Sequence, residues 1–181
     1  PALSNKKFSL YFQINLGSPM RLKHCHNFQD FRTLARKRLP GPIFNYIDGA
    51  ADDEVTYRRN TAAFDDVDLV PNVLAGVKEI DMSVTVMGQK LDMPIYCSPT
   101  ALQRLFHHKG ERAVAAAAAK FGTMFGVSSL GTVSLEEVRK AHSNPQVYQF
   151  YFHKDRGLNK AMMERAKESG IDVMMLTVDS I

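Results

Sequence analysis

The stretch that decides the fold is residues 146–179, QVYQFYFHKDRGLNKAMMERAKESGIDVMMLTVD. It opens on an apolar run (146–152), passes through a polar-apolar stretch with helical spacing that closes on Gly170, and ends on a second apolar run (172–178). Gly suits the left-handed residue just after a helix. Short apolar runs bounded by turn signals read as strands of a buried sheet. Strand, helix and strand within about thirty residues make one βαβ unit, so the two strands are expected to lie parallel.

The same rhythm extends toward the N-terminus. PIYCS (94–98) reads as a strand, followed by the helix KGERAVAAAAAKFG (109–122). MFGVSS (124–129) reads as the next strand, followed by SLEEVRKAH (134–142), where Ser134 and Glu137 have capping-box spacing. The count is four strands and three intervening helices. The last strand, 173–178, is expected to be buried on both faces. The alanine run at 115–119 is read as a helix lying close on a sheet. Before this region, MSVTVMGQKLDMP (82–94) reads as a hairpin around Gly88 and Gln89, and 65–71 as a short extended piece.

Three helices are expected earlier still. Asn27 is a good N-cap for 28–39, with Asp30 in the first turn. Phe28, Phe31, Leu34 and Leu39 form its apolar face, and Arg32, Arg36 and Lys37 its solvated one. Pro40 ends it. Residues 42–50 and 52–64 read as two more helices, the first closing at Gly49. Residues 1–19 read as a dispensable extension, with the body of a single domain running over 20–181.

Composition narrows the function. The 181 residues are 45% hydrophobic and 23% charged, with net charge +4, which is ordinary for a globular protein. The basic residues are scattered apart from a cluster at 21–40, with no zinc-finger spacing and no aromatic-basic interleaving, so nucleic acid is not an expected partner. No apolar stretch reaches the roughly 18 residues of a membrane span. Cys25 and Cys97 are unpatterned, which fits a reducing compartment. His24, Cys25 and His26 alternate along an extended segment and point apart, so no metal site is expected.

In a parallel α/β protein, ligands bind beyond the carboxyl ends of the strands. The expected strands carry, at that end, Ser98 to Ala101, then Ser128 and Ser129, then Gln149 and Tyr151, then Thr177 and Asp179. Singly, such residues most often cap helices or sit in cores. Four sets at one rim, with no Ser/His/Asp set and no metal cluster, suit a flat neutral heterocycle with donors and acceptors along its edge. A flavin ring is one such group. HHKGE (107–111) reads as a polar helix start near the same rim, with a substrate-side role as its alternative.

Five stretches resemble one family in order: LPGPIFNYIDGAADDEVTYRRN (39–60), MPIYCSPTALQ (93–103), GVSSLGTVSLEEV (126–138), YQFYFHKDRG (148–157) and LTVDS (176–180). They are similar to the landmarks of the FMN-dependent L-2-hydroxy acid oxidases and dehydrogenases. The resemblance implies an α/β fold, the first half of a (β/α)8 TIM barrel preceded by helices and a hairpin. It implies FMN as cofactor and a small 2-hydroxy acid, L-lactate foremost, as substrate. It places Pro99, Thr100 and Ala101 along the flavin near its N5 edge. It gives Ser128, Gln149 and Thr177 hydrogen bonds to the isoalloxazine. Tyr46 would bind the substrate carboxylate, Tyr151 would lie near the substrate hydroxyl, and Asp179 would orient the catalytic histidine. Leu130 stands where some oxidases carry Trp, which points away from the plant glycolate oxidase type.

The family's catalytic histidine, flavin-contacting lysine and carboxylate-binding arginine have no counterpart in these 181 residues. A TIM barrel takes about 250 residues. The chain is therefore expected to be an inactive fragment of the enzyme. The alternative is a non-catalytic half-barrel that pairs with a second chain, or a degraded gene product. The full-length enzyme would pass electrons to a quinone, a cytochrome or oxygen and would form a homo-oligomer. It would be cytoplasmic or peripheral on the inner face of a bacterial membrane.

Overall fold

The computed structural model describes residues 21–179, so the expected extension at 1–19 and its boundary at Met20 lie outside it. The chain divides into two compact units, meeting in sequence at Ala62 and Ala63.

The first unit holds three helices, α1 (Phe28–Arg38), α2 (Gly41–Asp48) and α3 (Val55–Ala62). The Asn27 side chain accepts from the Asp30 backbone N–H and caps α1, a contact worth about 1 kcal/mol. Pro40 precedes α2, and Pro42 occupies its first turn. The expected apolar face of α1 is only partly used. Leu34 is buried, while Phe28 and Phe31 are exposed. The basic face is not simply solvated either. Arg32 makes a two-pronged ion pair with Asp48, Nε to Oδ1 at 2.5 Å and Nη2 to Oδ2 at 2.9 Å. This pairing holds the Asp48 carboxyl below the usual range.

The second unit begins without regular structure; residues 65–71 form no strand. A hairpin follows, β1 (Val84–Val86) and β2 (Gln89–Leu91), with Val86 opposite Gln89. Its two-residue loop is therefore Met87 and Gly88, one position earlier than expected. Both have positive φ, 51° and 75°, as a type I′ turn requires.

The remaining elements alternate: α4 (Glu111–Lys120), β3 (Phe125–Ser128), α5 (Leu135–Ala141), β4 (Gln146–Tyr151), α6 (Arg156–Glu168) and β5 (Val173–Thr177). The three strands form a parallel sheet in the order β3-β4-β5. Ser134 accepts from the Glu137 N–H at the start of α5. Gly170, at φ 74°, ends α6: its N–H donates to Lys167 O, and the Ile171 N–H to Ala166 O. That pair of bonds is a Schellman motif, and Ile171 then packs on the core.

Two expectations for the sheet need correction. Residues 94–98 form no strand; only Cys97 bridges, in parallel, to Phe125. Pro94 and Pro99 flank the segment and cannot donate to a ladder, which leaves room for little more than one rung. Residues 173–177 are not buried on both faces. Met174 is 41% and Leu176 52% exposed, because β5 is the edge strand and no element covers its outer face among the described residues.

The two faces of the sheet have different jobs. Phe125, Val127, Tyr148 and Phe150 point to the helices and pack with Ala115, Ala118, Val138 and Ala166. Ala115 and Ala118 are fully buried, so the small side chains let α4 lie close on the sheet, as read from the alanine run. On the other face, Met124, Val147, Val173 and Met175 pack with Leu91, Val84 and Val86 of the hairpin. These residues lie at or near the strands' amino ends, so the hairpin closes that end of the inner face.

Candidate cofactor site at the strand carboxyl ends

Side chains alternate along a strand, so residues two apart share a face. Continuing the inner face past Met124, Val147 and Met175 brings Ser128, Gln149 and Thr177 to one rim. Register puts Ser128 opposite Gln149 and Thr177 opposite Tyr151.

The Gln149 amide links the strands. Its Oε1 accepts from the Ser129 N–H at 3.1 Å, the Ser129 hydroxyl at 3.0 Å and the Ser128 hydroxyl at 3.4 Å. Its Nε2 donates to Thr177 Oγ1 at 2.7 Å. A backbone N–H can only donate, so Ser129 fixes which end of the amide is oxygen. Gln149 is 6% exposed. Its second amide hydrogen and the Thr177 hydroxyl hydrogen are not used in this set.

The segment after Cys97 crosses this face. A Cβ built on Gly126 would lie 2.6 Å from Pro99 Cδ and 2.7 Å from Pro99 N. Gly126 thus lets the loop run flush against the inner face at this point of the strand. Beyond it, Gln103 Nε2 donates to Thr100 O at 3.3 Å, and Leu102 takes the left-handed conformation, φ 54° and ψ 35°. Burial raises the Cys97 thiol pKa.

Of the residues read as site candidates, Ser128, Gln149 and Thr177 are joined by hydrogen bonds. Pro99, Thr100 and Ala101 lie on the loop that crosses Gly126. Tyr151 is half-buried on the same face as Gln149, and Asp179 is exposed two residues beyond Thr177. Tyr46 is on α2, 59% exposed, in the other compact unit. HHKGE is not a substrate-facing group at its last position: Glu111 is fully buried and accepts from Thr132 N and Oγ1, each at 2.7 Å. Sequence reading missed Gly126, Glu111 and Thr132. A glycine inside a strand is a signal for close backbone approach, and it was there to be used. The Glu111–Thr132 link joins positions 21 apart and left no local signal. Among the described residues, no cluster of three or more His, Cys, Asp or Glu is placed to hold a metal.

The donor set fits a flavin edge. It is neutral, nearly dry, spread over three neighbouring strands, and has donors to spare.

The class this fold and rim define is matched by comparison. The model of the FMN-dependent dehydrogenase family matches residues 35–181. Glycolate oxidase 1 of Oryza sativa subsp. indica is 38% identical over 154 residues, covering 85% of this chain and 42% of that protein. L-lactate oxidase of a Nostoc species is 40% identical over 158 residues, covering 85% and 43%. Among solved structures, a mandelate oxidase with a bound 2-hydroxy acid superimposes at TM-score 0.78 and 31% identity, covering 83% of this chain and 45% of that one. The chain belongs to the FMN-dependent 2-hydroxy acid oxidase and dehydrogenase family, whose cofactor is FMN and whose fold is the (β/α)8 barrel. It forms part of such a barrel, and it spans about two fifths of the length of the curated relatives it matches.

Proposed function

We propose that the chain is the amino-terminal part of an enzyme that oxidises an L-2-hydroxy acid, L-lactate foremost, to the 2-oxo acid. The observation that carries this reading is the Ser128–Gln149–Thr177 ladder, held at one rim beside the loop that crosses Gly126. The named relatives act on glycolate and L-lactate. Leu130, half-exposed just after the Ser128–Ser129 pair, supports the lactate reading over the plant glycolate type.

The residues divide the work as follows. Ser128, Gln149 and Thr177 would hold the polar edge of FMN, and Pro99, Thr100 and Ala101 would line it with backbone. Bound FMN supplies the electron sink for the substrate carbon. Tyr46 would bind the substrate carboxylate, and Tyr151 would hold the hydroxyl through its phenol. Asp179 would orient a histidine base, fix its tautomer and stabilise its protonated form. On this reading that histidine is supplied by sequence outside these 181 residues, and the chain alone is inactive.

The test is made on the complete gene product. It is expected to purify yellow and to reduce a dye with L-lactate faster than with glycolate or mandelate. A colourless protein that stays inactive at saturating FMN overturns the assignment. A yellow protein that prefers glycolate overturns only the choice of substrate.

A further inference from the structure

Glu111 is the one fully buried carboxyl group among the described residues, and no role above employs it. It lies at the start of α4, where its two oxygens are taken by a single residue, Thr132. Oε1 accepts from the Thr132 N–H and Oε2 from the Thr132 hydroxyl, both at 2.7 Å. The Thr132 hydroxyl oxygen in turn accepts from the Arg104 N–H at 3.1 Å. A threonine hydroxyl is free to rotate. The carboxylate takes its hydrogen, which turns an oxygen lone pair toward Arg104.

Arg104 follows Ala101 by three residues. The bond to Thr132 is one of several that hold this loop. The Leu102 N–H donates to Leu130 O at 3.1 Å, while Leu102 itself sits in a conformation that a residue bearing a side chain rarely adopts. A Cβ on Gly110 would lie 2.5 Å from Arg104 Cγ, so the loop returns to α4 with no slack. Gly126 supports Pro99 from below. The segment 99–101 is therefore fixed on both sides, and the Arg104 anchor runs through a buried acid.

We infer that Glu111 is a positioning residue for the flavin: acting through Thr132, it holds the loop that carries Pro99, Thr100 and Ala101 at the cofactor's edge. This rests on the proposed placement of those three residues at FMN. Glu111 touches neither cofactor nor substrate in this role. It sets where backbone groups stand, and a flavin's potential responds to such groups.

The test uses the complete protein with Glu111→Ala, Thr132→Val and the conservative Glu111→Gln. Three quantities are read: FMN dissociation by fluorescence, the flavin reduction potential, and amide hydrogen exchange at Arg104. Glu111→Ala and Thr132→Val are expected to weaken FMN binding about tenfold, the scale of one lost hydrogen bond to a charged group. They should also shift the potential and speed exchange at Arg104. Glu111→Gln can still accept from the Thr132 N–H and donate to its hydroxyl oxygen, so it should stay within about threefold of wild type. If Glu111→Ala does not fold, Thr132→Val decides. A folded variant of either kind with wild-type FMN affinity and potential overturns the inference. Wild-type protein that binds no FMN overturns the cofactor placement itself, and the inference with it.

Discussion

The two ends of the same three strands are built in different ways. At the amino ends, several polar groups are spent on one another, although Asn144 Oδ1 and Gln146 Oε1 are buried without a partner. Asp172 accepts from the Gln146 N–H at 2.9 Å and from Arg139 Nη1 at 3.1 Å. Asn144 Nδ2 donates to Thr123 O at 2.9 Å, and the Thr123 hydroxyl donates to Ile95 O. The β1–β2 hairpin then covers the inner face with Leu91, Val84 and Val86. At the carboxyl ends the inner face carries the Ser128, Gln149 and Thr177 side chains instead, and Gln149 and Thr177 keep donors in hand. One end is closed by the apolar hairpin; the other carries a row of hydrogen-bonding side chains, which is what a binding rim needs. Substitutions at the two ends should therefore part company: the first should cost stability alone, the second cofactor affinity.

The largest effect is expected at Gly126→Val. A branched side chain at that point would overlap Pro99, and overpacking of this kind costs about 1–3 kcal/mol. FMN binding should be lost along with several degrees of thermal midpoint in the complete protein. Retained FMN affinity would mean that the loop does not need the inner face. Asp172→Ala comes next. It strips partners from the Gln146 N–H and from Arg139, so a loss of about 1–3 kcal/mol is expected in denaturant melts, with FMN affinity unchanged. A matching loss of FMN affinity would erase the distinction between the two ends.

Gln149→Leu adds a loss of cofactor affinity to that pattern. The leucine strips the partner from the Ser129 N–H, so stability should fall by about 1–3 kcal/mol, and FMN affinity falls about tenfold besides for the loss of one hydrogen-bonding group. Unchanged FMN affinity would make Gln149 a structural link and nothing more. The smallest effect belongs to the outer helices. Arg165 of α6 grips Glu136 of α5 through two contacts and holds its carboxyl down to about 2. A carboxyl depressed in the folded state stabilises above its unfolded value, near 4.5, and loses that contribution as pH falls toward 2. Both side chains are about half exposed, so solvent screening keeps the effect under about 1 kcal/mol. A pH series of melts on wild type and Glu136→Gln should diverge above pH 4.5 and converge near pH 2. Parallel curves would show that the pair contributes nothing.

What could be read along the chain was whatever has a local cause. The N-caps at Asn27 and Ser134, the close at Gly170 and the alanine face of α4 each depend on a few neighbouring residues, and each stands where it was expected. The rim residues Ser128, Gln149 and Thr177 were legible for a related reason: the period of two along each strand carries them to one end of one face. Three features were misread where a local signal met a competing one. The turn of the hairpin slid to Met87 and Gly88 because both central residues of a I′ turn need positive φ. The run at 94–98 looked like a strand but is flanked by prolines, and it makes one rung. The run at 173–177 is apolar enough to be buried on both faces, yet burial depends on a neighbour, and here Met174 and Leu176 face outward uncovered.

The sequence by itself determined the βα order, the parallel sheet, and the identity of the groups at its carboxyl ends, because periodicity and capping are properties of adjacent residues. Only the tertiary structure decided how those groups are held. The Gln149 amide orientation, the passage of Pro99 across Gly126 and the burial of Glu111 against Thr132 all join positions twenty or more apart. Such contacts arise when the sheet and its loops close on one another, and no run of neighbours specifies them.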